Sequence, residues 1–396
     1  MGRLRVSGAE LVTLGCRLNI AESERMRAMM AGERDLVVVN SCAVTREAVR
    51  QTRQAIRRAR RANPAARLIV TGCAAETERE AIAAMPEVDG LVANAAKLDP
   101  RAWNLPESAP PAPKHRTRAF VAVQNGCDHA CTFCVIPQGR GASRSLTIAE
   151  VLREVERHLR EGAPEIVLTG VDVTSWGHDL PDRPPLGALV QAILEGFPDL
   201  ARLRMSSLDG IEIDPLLFEL LASEKRLMPH LHLSLQHGHD LILKRMKRRH
   251  SRAQAVKLVS DLRARRPDLA VGADLIAGFP TESDEHHEAN LSIVRDLRIV
   301  HCHVFPYSPR DNTPAARMPQ VDRAIVKARA AELRAVAAAT QAEWLATLVD
   351  KPLSVLAERD GSGYAENFAR FALPEGMPAG TIATLTPRAI EGRLLV

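Results

Sequence analysis

Apolar residues recur over the first hundred positions in short blocks, Glu10–Gly15, Leu36–Asn40, Arg67–Thr71 and Val88–Ala93, with helical spacing between them. This alternation predicts a parallel α/β sheet. Cysteines follow three of the blocks: Cys16 after LVTLG, Cys42 after LVVVNS and Cys73 after LIVTG. In an open parallel sheet the strand C-termini share one edge, where ligands bind. Three thiols spaced by about one βα unit each are therefore predicted neighbours, suited to a metal cluster. The alternative is three structural cysteines, because a thiol packs as a small hydrophobe.

Residues 99–115, within a proline-rich run (DPRAWNLPESAPPAPK), lack periodicity and read as a linker after a first domain at 1–98. From Arg118 to Phe305 the strand–helix alternation returns for six rounds, with strands at Phe120–Gln124, Glu165–Leu168, Leu203–Met205, Leu231–Leu235, Val271–Ile276 and His301–Phe305. Six βα units predict a partial parallel barrel over 116–349, closed by a helix at Val321–Leu348. Short β-prone pieces (LSVLAE, ATLTP, GRLLV) then predict a small β domain at 350–396. His301 and His303 flank Cys302 on a strand, where alternate side chains face opposite ways, so the three cannot converge and Cys302 reads as a core residue.

Composition narrows the class. The chain has 396 residues, 46% of them hydrophobic and 26% charged, which suits a globular protein of two or three domains. No apolar run approaches the roughly 20 residues of a membrane span. The first residues lack a signal-peptide core, and an odd seven cysteines argue against a disulfide framework, so a cytoplasmic protein is expected. The net charge is only +5, but arginines crowd Thr45–Ala62 and cations crowd Lys244–Arg252. Such clusters suit a phosphate backbone, or are simply solvated helix faces. Aromatics, at 3%, are too sparse for extended base stacking.

The most specific signal is QNGCDHACTFCVIPQGRGASRS, beginning at Gln124. Cys127, Cys131 and Cys134 stand in a C-x3-C-x2-C spacing after a strand, which suits a four-iron cube with one iron left open for a chelating cofactor. Phe133 offers that cofactor a flat apolar face. A zinc ribbon would show a second ligand pair at matching distance, and none follows. Strand-end residues Gly170, Asp172, Ser207, Gln236, Asp274 and Pro280 are expected to line the cofactor pocket.

This loop resembles the radical S-adenosylmethionine (SAM) enzymes. With TLGCRLNIAESE, VNSCAVT and VTGCAAE before it and GYAENFARFALPEG after it, nearly the whole chain resembles the radical-SAM methylthiotransferases. The resemblance implies two 4Fe–4S clusters, on Cys16, Cys42 and Cys73 and on Cys127, Cys131 and Cys134, with SAM as cofactor. It also implies a shortened TRAM-like RNA-binding tail. SSLDGIEID and ADLIAGFPTE are most similar to the branch that methylthiolates N6-threonylcarbamoyladenosine beside the tRNA anticodon. Expected partners are a tRNA anticodon stem-loop, an external electron donor and a sulfur source, with the protein a monomer. Alternatives are a ribosomal-protein aspartate, N6-isopentenyladenosine, or a non-catalytic RNA-binding or iron–sulfur carrier.

Overall fold

A computed structural model of the chain describes residues 9–105 and 117–396. The first residues, on which the signal-peptide expectation rests, and most of the expected linker lie outside them. By contacts the chain divides into two units. One comprises the described residues up to 105 together with 125–144 and 308–313; the other comprises 117–124, 145–307 and 314–396.

The first unit is built on four parallel strands in the order β1 (Glu10–Thr13), β2 (Leu36–Ser41), β3 (Arg67–Gly72) and β4 (Gly90–Leu91). β2 is buried at every position, as a central strand covered on both faces must be. Val37, Val39, Leu68 and Val70 face Val49 and Ile56 of α2 (Arg46–Ala62). Leu36, Val38 and Ile69 face Met26 of α1 (Arg17–Met29) and Trp103. Thr45 caps α2 by accepting from Ala48 N at 3.0 Å, as expected of a threonine before a helix. Short helices α3 (Cys73–Thr77) and α4 (Arg79–Ala83) follow β3. The last predicted strand shrinks to two residues. The expected linker begins later than its composition suggested, because Pro100–Trp103 forms a 3-10 turn that buries Trp103 in the apolar layer.

The second unit begins with β5 (Arg118–Ala122). The chain passes into and out of the cysteine loop through a short ribbon, β6 (Gln124–Asn125) with β7 (Arg144–Ser145), flanking α5 (Ile136–Arg140). Parallel strands β8 (Glu165–Thr169) and β9 (Arg202–Met205) join β5 in one sheet. β10 (His230–Gln236), β11 (Ala270–Ala277) and β12 (Ile299–Pro306) form a second. A parallel bridge between Leu208 and Leu233 connects the two, giving the α/β architecture anticipated; among the described residues the sheets do not close into a full barrel. Helices α6 (Ile148–Arg160), α7 (Leu186–Gly196), α8 (Pro215–Ser223), α9 (Asp240–Arg245), α10 (Arg252–Arg265) and α11 (Asp284–Asp296) alternate with the strands. α12 (Arg323–Ala346) packs on β12 and α11.

The tail forms a six-stranded, mostly antiparallel sheet from β13 (Leu353–Ala357), β14 (Ser362–Ala365), β15 (Arg370–Ala372), β16 (Ile382–Leu385), β17 (Ile390–Glu391) and β18 (Leu394–Leu395). Its core takes Leu345 and Leu348 from the end of α12 and the residues just after it. Arg202 reaches Ser354 O (2.6 Å) and Tyr364 O (3.2 Å). Arg204, paired with the buried Glu165 at 2.9 Å, reaches Glu366 O and lies over the Phe368 ring. Among the described residues no helix is long and apolar enough to cross a membrane.

Candidate functional site

The register of the first sheet brings its cysteines together. Asn40 pairs with Thr13 and Ser41 with Gly72, so Cys42 and Cys73 each stand one residue past paired positions. Two glycines make the approach possible. Gly15 (φ +90°) lies where a Cβ would be 2.8 Å from the Cys42 sulfur, and Gly72 (φ +91°) where one would be 2.5 Å from Ser41 O. Both conformations favour glycine. Cys16 is exposed at the start of α1, while Cys42 and Cys73 are buried. Burial pushes the Cys42 thiol up, and the nearby Cys16 and Cys73 sulfurs push it further. Burial likewise raises Cys73, against the pull of Arg140 and Lys97. Two buried thiols that resist ionisation, with the exposed Cys16 close by, suit a cationic centre, which would remove the penalty of burying thiolates.

The loop of the C-x3-C-x2-C motif belongs to the same unit. Cys127, Cys131 and Cys134 are half-buried, as is Phe133 between the last two. The loop is held by Cys127 N donating to Gly141 O (3.1 Å), Cys134 N to Cys131 O (3.2 Å) and Ser143 N to the Asp128 carboxylate (3.0 Å). Thiols gathered in a half-open loop can ligate a cluster and leave one face open to a cofactor. After Cys134 the chain turns into α5, which packs on α3. A Cβ on Gly139 would sit 3.2 Å from that of Cys73. Asn94 joins the two, donating to Gly139 O at 2.6 Å and approaching the Cys73 sulfur at 3.8 Å.

Three charged residues that sequence reasoning passed over lie beneath this contact. Arg140 donates to Glu22 (2.9 and 3.1 Å) and to Asn125 Oδ1 (2.8 Å), and Lys97 donates to Glu22 at 2.6 Å. All three are almost wholly buried. Burial favours a neutral Glu22, but the two cations outweigh it and hold its carboxyl below the ordinary range. Nothing local in the sequence marks this set, because Arg140 and Glu22 are 118 residues apart.

The expected pocket residues of the second unit lie at or just past strand ends, except Asp274, which sits inside β11 opposite His303. Gln124 Oε1 accepts from Val171 N (3.1 Å) and Asp172 N (2.9 Å), with Gly170 packed close against Gln124. Asp172 in turn accepts from Ser175 at 2.8 Å. Ser207 and Gln236 are half-buried, Gln236 with a left-handed backbone (φ +68°). Pro280 is buried within the turn that runs from Gly278 to Glu282. Asp274 bonds two imidazoles, His232 at 3.1 Å and His303 at 3.0 Å. These three groups lie close enough to hold a divalent cation. Cys302 faces away, against the apolar layer of the sheet, its thiol pushed up to about 12 by burial. His237, within QHGHD, is buried against Glu282 at 3.1 Å.

The two basic clusters are largely spent on internal pairs. On α2, Arg46, Arg50, Arg53, Arg57 and Arg60 pair with Asp311, Glu47, Glu78, Glu87 and Asp89. In the second cluster Arg248 and Arg249 share Asp209, and Arg252 pairs with Asp296. This favours the bland reading of much of that charge, although Arg46, Arg50, Arg57 and Arg249 stay exposed in their pairs and Arg58, Arg61, Lys244 and Lys247 are exposed as well.

Comparison with known proteins accords with these arrangements. Residues 121–292 match the Radical SAM superfamily, and residues 9–93 match Uncharacterized protein family UPF0004. The chain is 42% identical to threonylcarbamoyladenosine tRNA methylthiotransferase MtaB of Rickettsia prowazekii (strain Madrid E), covering 94% of this chain and 93% of that one. It is 32% identical to tRNA-2-methylthio-N(6)-dimethylallyladenosine synthase of Paracoccus denitrificans (strain Pd 1222), over 88% of this chain and 85% of the other. Among solved structures, the radical SAM methyltransferase TsrM of Kitasatospora setae shares the fold, with a TM-score of 0.54 at 16% identity over 74% of this chain and 66% of that chain. Membership of the Radical SAM superfamily implies SAM and a 4Fe–4S cluster. With both domains in one chain and close identity along nearly its full length, the protein belongs to the radical-SAM methylthiotransferase family and is an enzyme of that class.

Proposed function

We propose that this protein converts N6-L-threonylcarbamoyladenosine next to the tRNA anticodon to its 2-methylthio derivative. The observation that carries the reading is the convergence of Cys16, Cys42 and Cys73 at one sheet edge, in the same unit as the C-x3-C-x2-C loop. The substrate assignment follows the 42% identical relative, whose name specifies threonylcarbamoyladenosine. Cys127, Cys131 and Cys134 would hold the cluster that binds SAM. Cys16, Cys42 and Cys73 would hold a second 4Fe–4S cluster. Bound together, the cofactors supply a radical for an adenine carbon–hydrogen bond that acid–base groups cannot activate, and a sulfur donor.

The chain's own part is to bind and orient. Phe133 would pack beside a cofactor held at the loop, and Gly170, Asp172, Ser207, Gln236, Asp274 and Pro280 would offer contacts suited to a nucleoside and an amino-acid group. Asn94 and Gly139 keep the loop helix against Cys73, so that radical and sulfur are generated close together. Residues 1–98 act as the sulfur-donor domain, 116–349 as the SAM domain and 350–396 as the RNA-contacting end. An external electron donor, a sulfur source and a reducing cytoplasm complete the requirement.

The test is mass spectrometry of tRNA nucleosides from cells that lack the protein. Loss of 2-methylthio-threonylcarbamoyladenosine, restored by the intact chain and not by a Cys42→Ala variant, is expected. Its persistence with no other enzyme making it, or loss of the 2-methylthio-isopentenyl nucleoside instead, refutes the substrate.

A further inference from the structure

The Glu22–Lys97–Arg140 set has a charge imbalance that a purely structural tie would not need. Two cations meet one carboxylate, and their other described partners (Asn19, Asn40 and Asn125) are neutral amides. Taking ions out of water costs several kcal/mol each, and an uncompensated one is the most expensive. The surplus positive charge therefore calls for an anion nearby. Thiols lie nearby: Arg140 follows Gly139, where a Cβ would be 3.2 Å from that of Cys73, and its partner Asn19 donates to Ser41 O, the neighbour of Cys42. Cys73 and Cys42 are two of the three ligands assigned above to the second cluster, an anionic centre when thiolate-bound.

We propose that Glu22, Lys97 and Arg140 are positioning residues whose net positive charge compensates the sheet-edge cluster and sets how readily it accepts an electron. Net charge around a thiolate-bound cluster is one of the levers on its reduction potential. Arg140 also carries the loop helix, so one side chain both anchors that helix and biases the neighbouring centre. The inference rests on the two-cluster reading, and its test keeps the two separable.

The experiment uses the full chain with Cys127, Cys131 and Cys134 replaced by Ala, reconstituted anaerobically with iron and sulfide. The potential is read by electron paramagnetic resonance under stepwise reduction. Glu22→Gln unmasks the cations and is expected to raise the potential; Arg140→Gln and Lys97→Met remove one and are expected to lower it. Each shift should change the reduced-to-oxidised ratio at a fixed poise about tenfold, some 59 mV for one electron. Arg140→Lys should stay near the parent. Melting temperature should fall for Glu22→Gln and for Arg140→Gln alike, because each breaks the buried pair, so opposite potential shifts cannot arise from loosened structure. If Arg140→Gln does not accumulate, Lys97→Met carries the same sign. Shifts of one sign in Glu22→Gln and Lys97→Met, or none, with the cluster retained, overturn the inference. Absence of iron in the parent variant overturns the two-cluster reading beneath it.

Discussion

The two cysteine sets proposed above as cluster ligands are assembled by opposite routes. The loop set spans eight residues, Cys127 to Cys134, and its spacing is fixed by local turns and backbone hydrogen bonds. The sheet-edge set spans 58 residues, Cys16 to Cys73, and exists only because three parallel strands lie in one register. The loop sulfurs are half-open, as a centre must be that admits a cofactor. Two of the three edge sulfurs are buried, as suits a centre that stores something away from water. A local site survives modest damage to the fold around it; one made by register does not.

The comparison can be broken most sharply at the loop. Cys131→Ala should abolish both SAM cleavage and methylthio transfer, with 5′-deoxyadenosine and product below detection by liquid chromatography–mass spectrometry. Cys42→Ala should remove the methylthio product while leaving SAM cleavage within about threefold of the parent and iron near half. If SAM cleavage vanishes in both, separate roles are untenable. Gly72→Ala tests register dependence. A side chain at φ +91°, with its Cβ 2.5 Å from Ser41 O, should cost about 2 kcal/mol or more and lower edge-site iron while loop-site iron remains. A control lies outside both sites, at Asp209. Burial opposes its ionisation, but His250, Arg248 and Arg249 outweigh that and hold the carboxyl at about 2. A depressed carboxyl stabilises above its unfolded value and loses that contribution as pH falls through its folded one. Denaturant titrations should therefore show about 2 kcal/mol lost between pH 4 and pH 2, a loss absent in Asp209→Asn.

Much of this was legible in the chain because periodicity and spacing are local. All six central strands appear within about two residues of where apolar blocks placed them. The loop cysteines were readable from eight residues alone. The edge cysteines became readable only through the rule that parallel strands end on one side. What could not be read is pairing at a distance. Lys97 is buried against Glu22, 75 residues away in the sequence, and the arginines of α2, which suited a phosphate backbone or a solvated face alike, pair with Glu78, Glu87 and Asp89 from later in the chain. Trp103 likewise belongs to the first sheet's core although its neighbours are linker-like.

The way the C-terminal sheet is fastened has a practical meaning for anyone shortening this protein. Arg202 and Arg204 project from the central β-structure and end on main-chain oxygens of Ser354, Tyr364 and Glu366. A chain stopped at residue 350 would take away the main-chain acceptors of both guanidinium groups, leaving only the shared acid Glu165, and would uncover Leu345 and Leu348 of the tail's core to water. Truncation should thus cripple folding of the SAM-binding portion itself. A tail-less variant that fails to act on RNA would say nothing about RNA until it had been shown to fold.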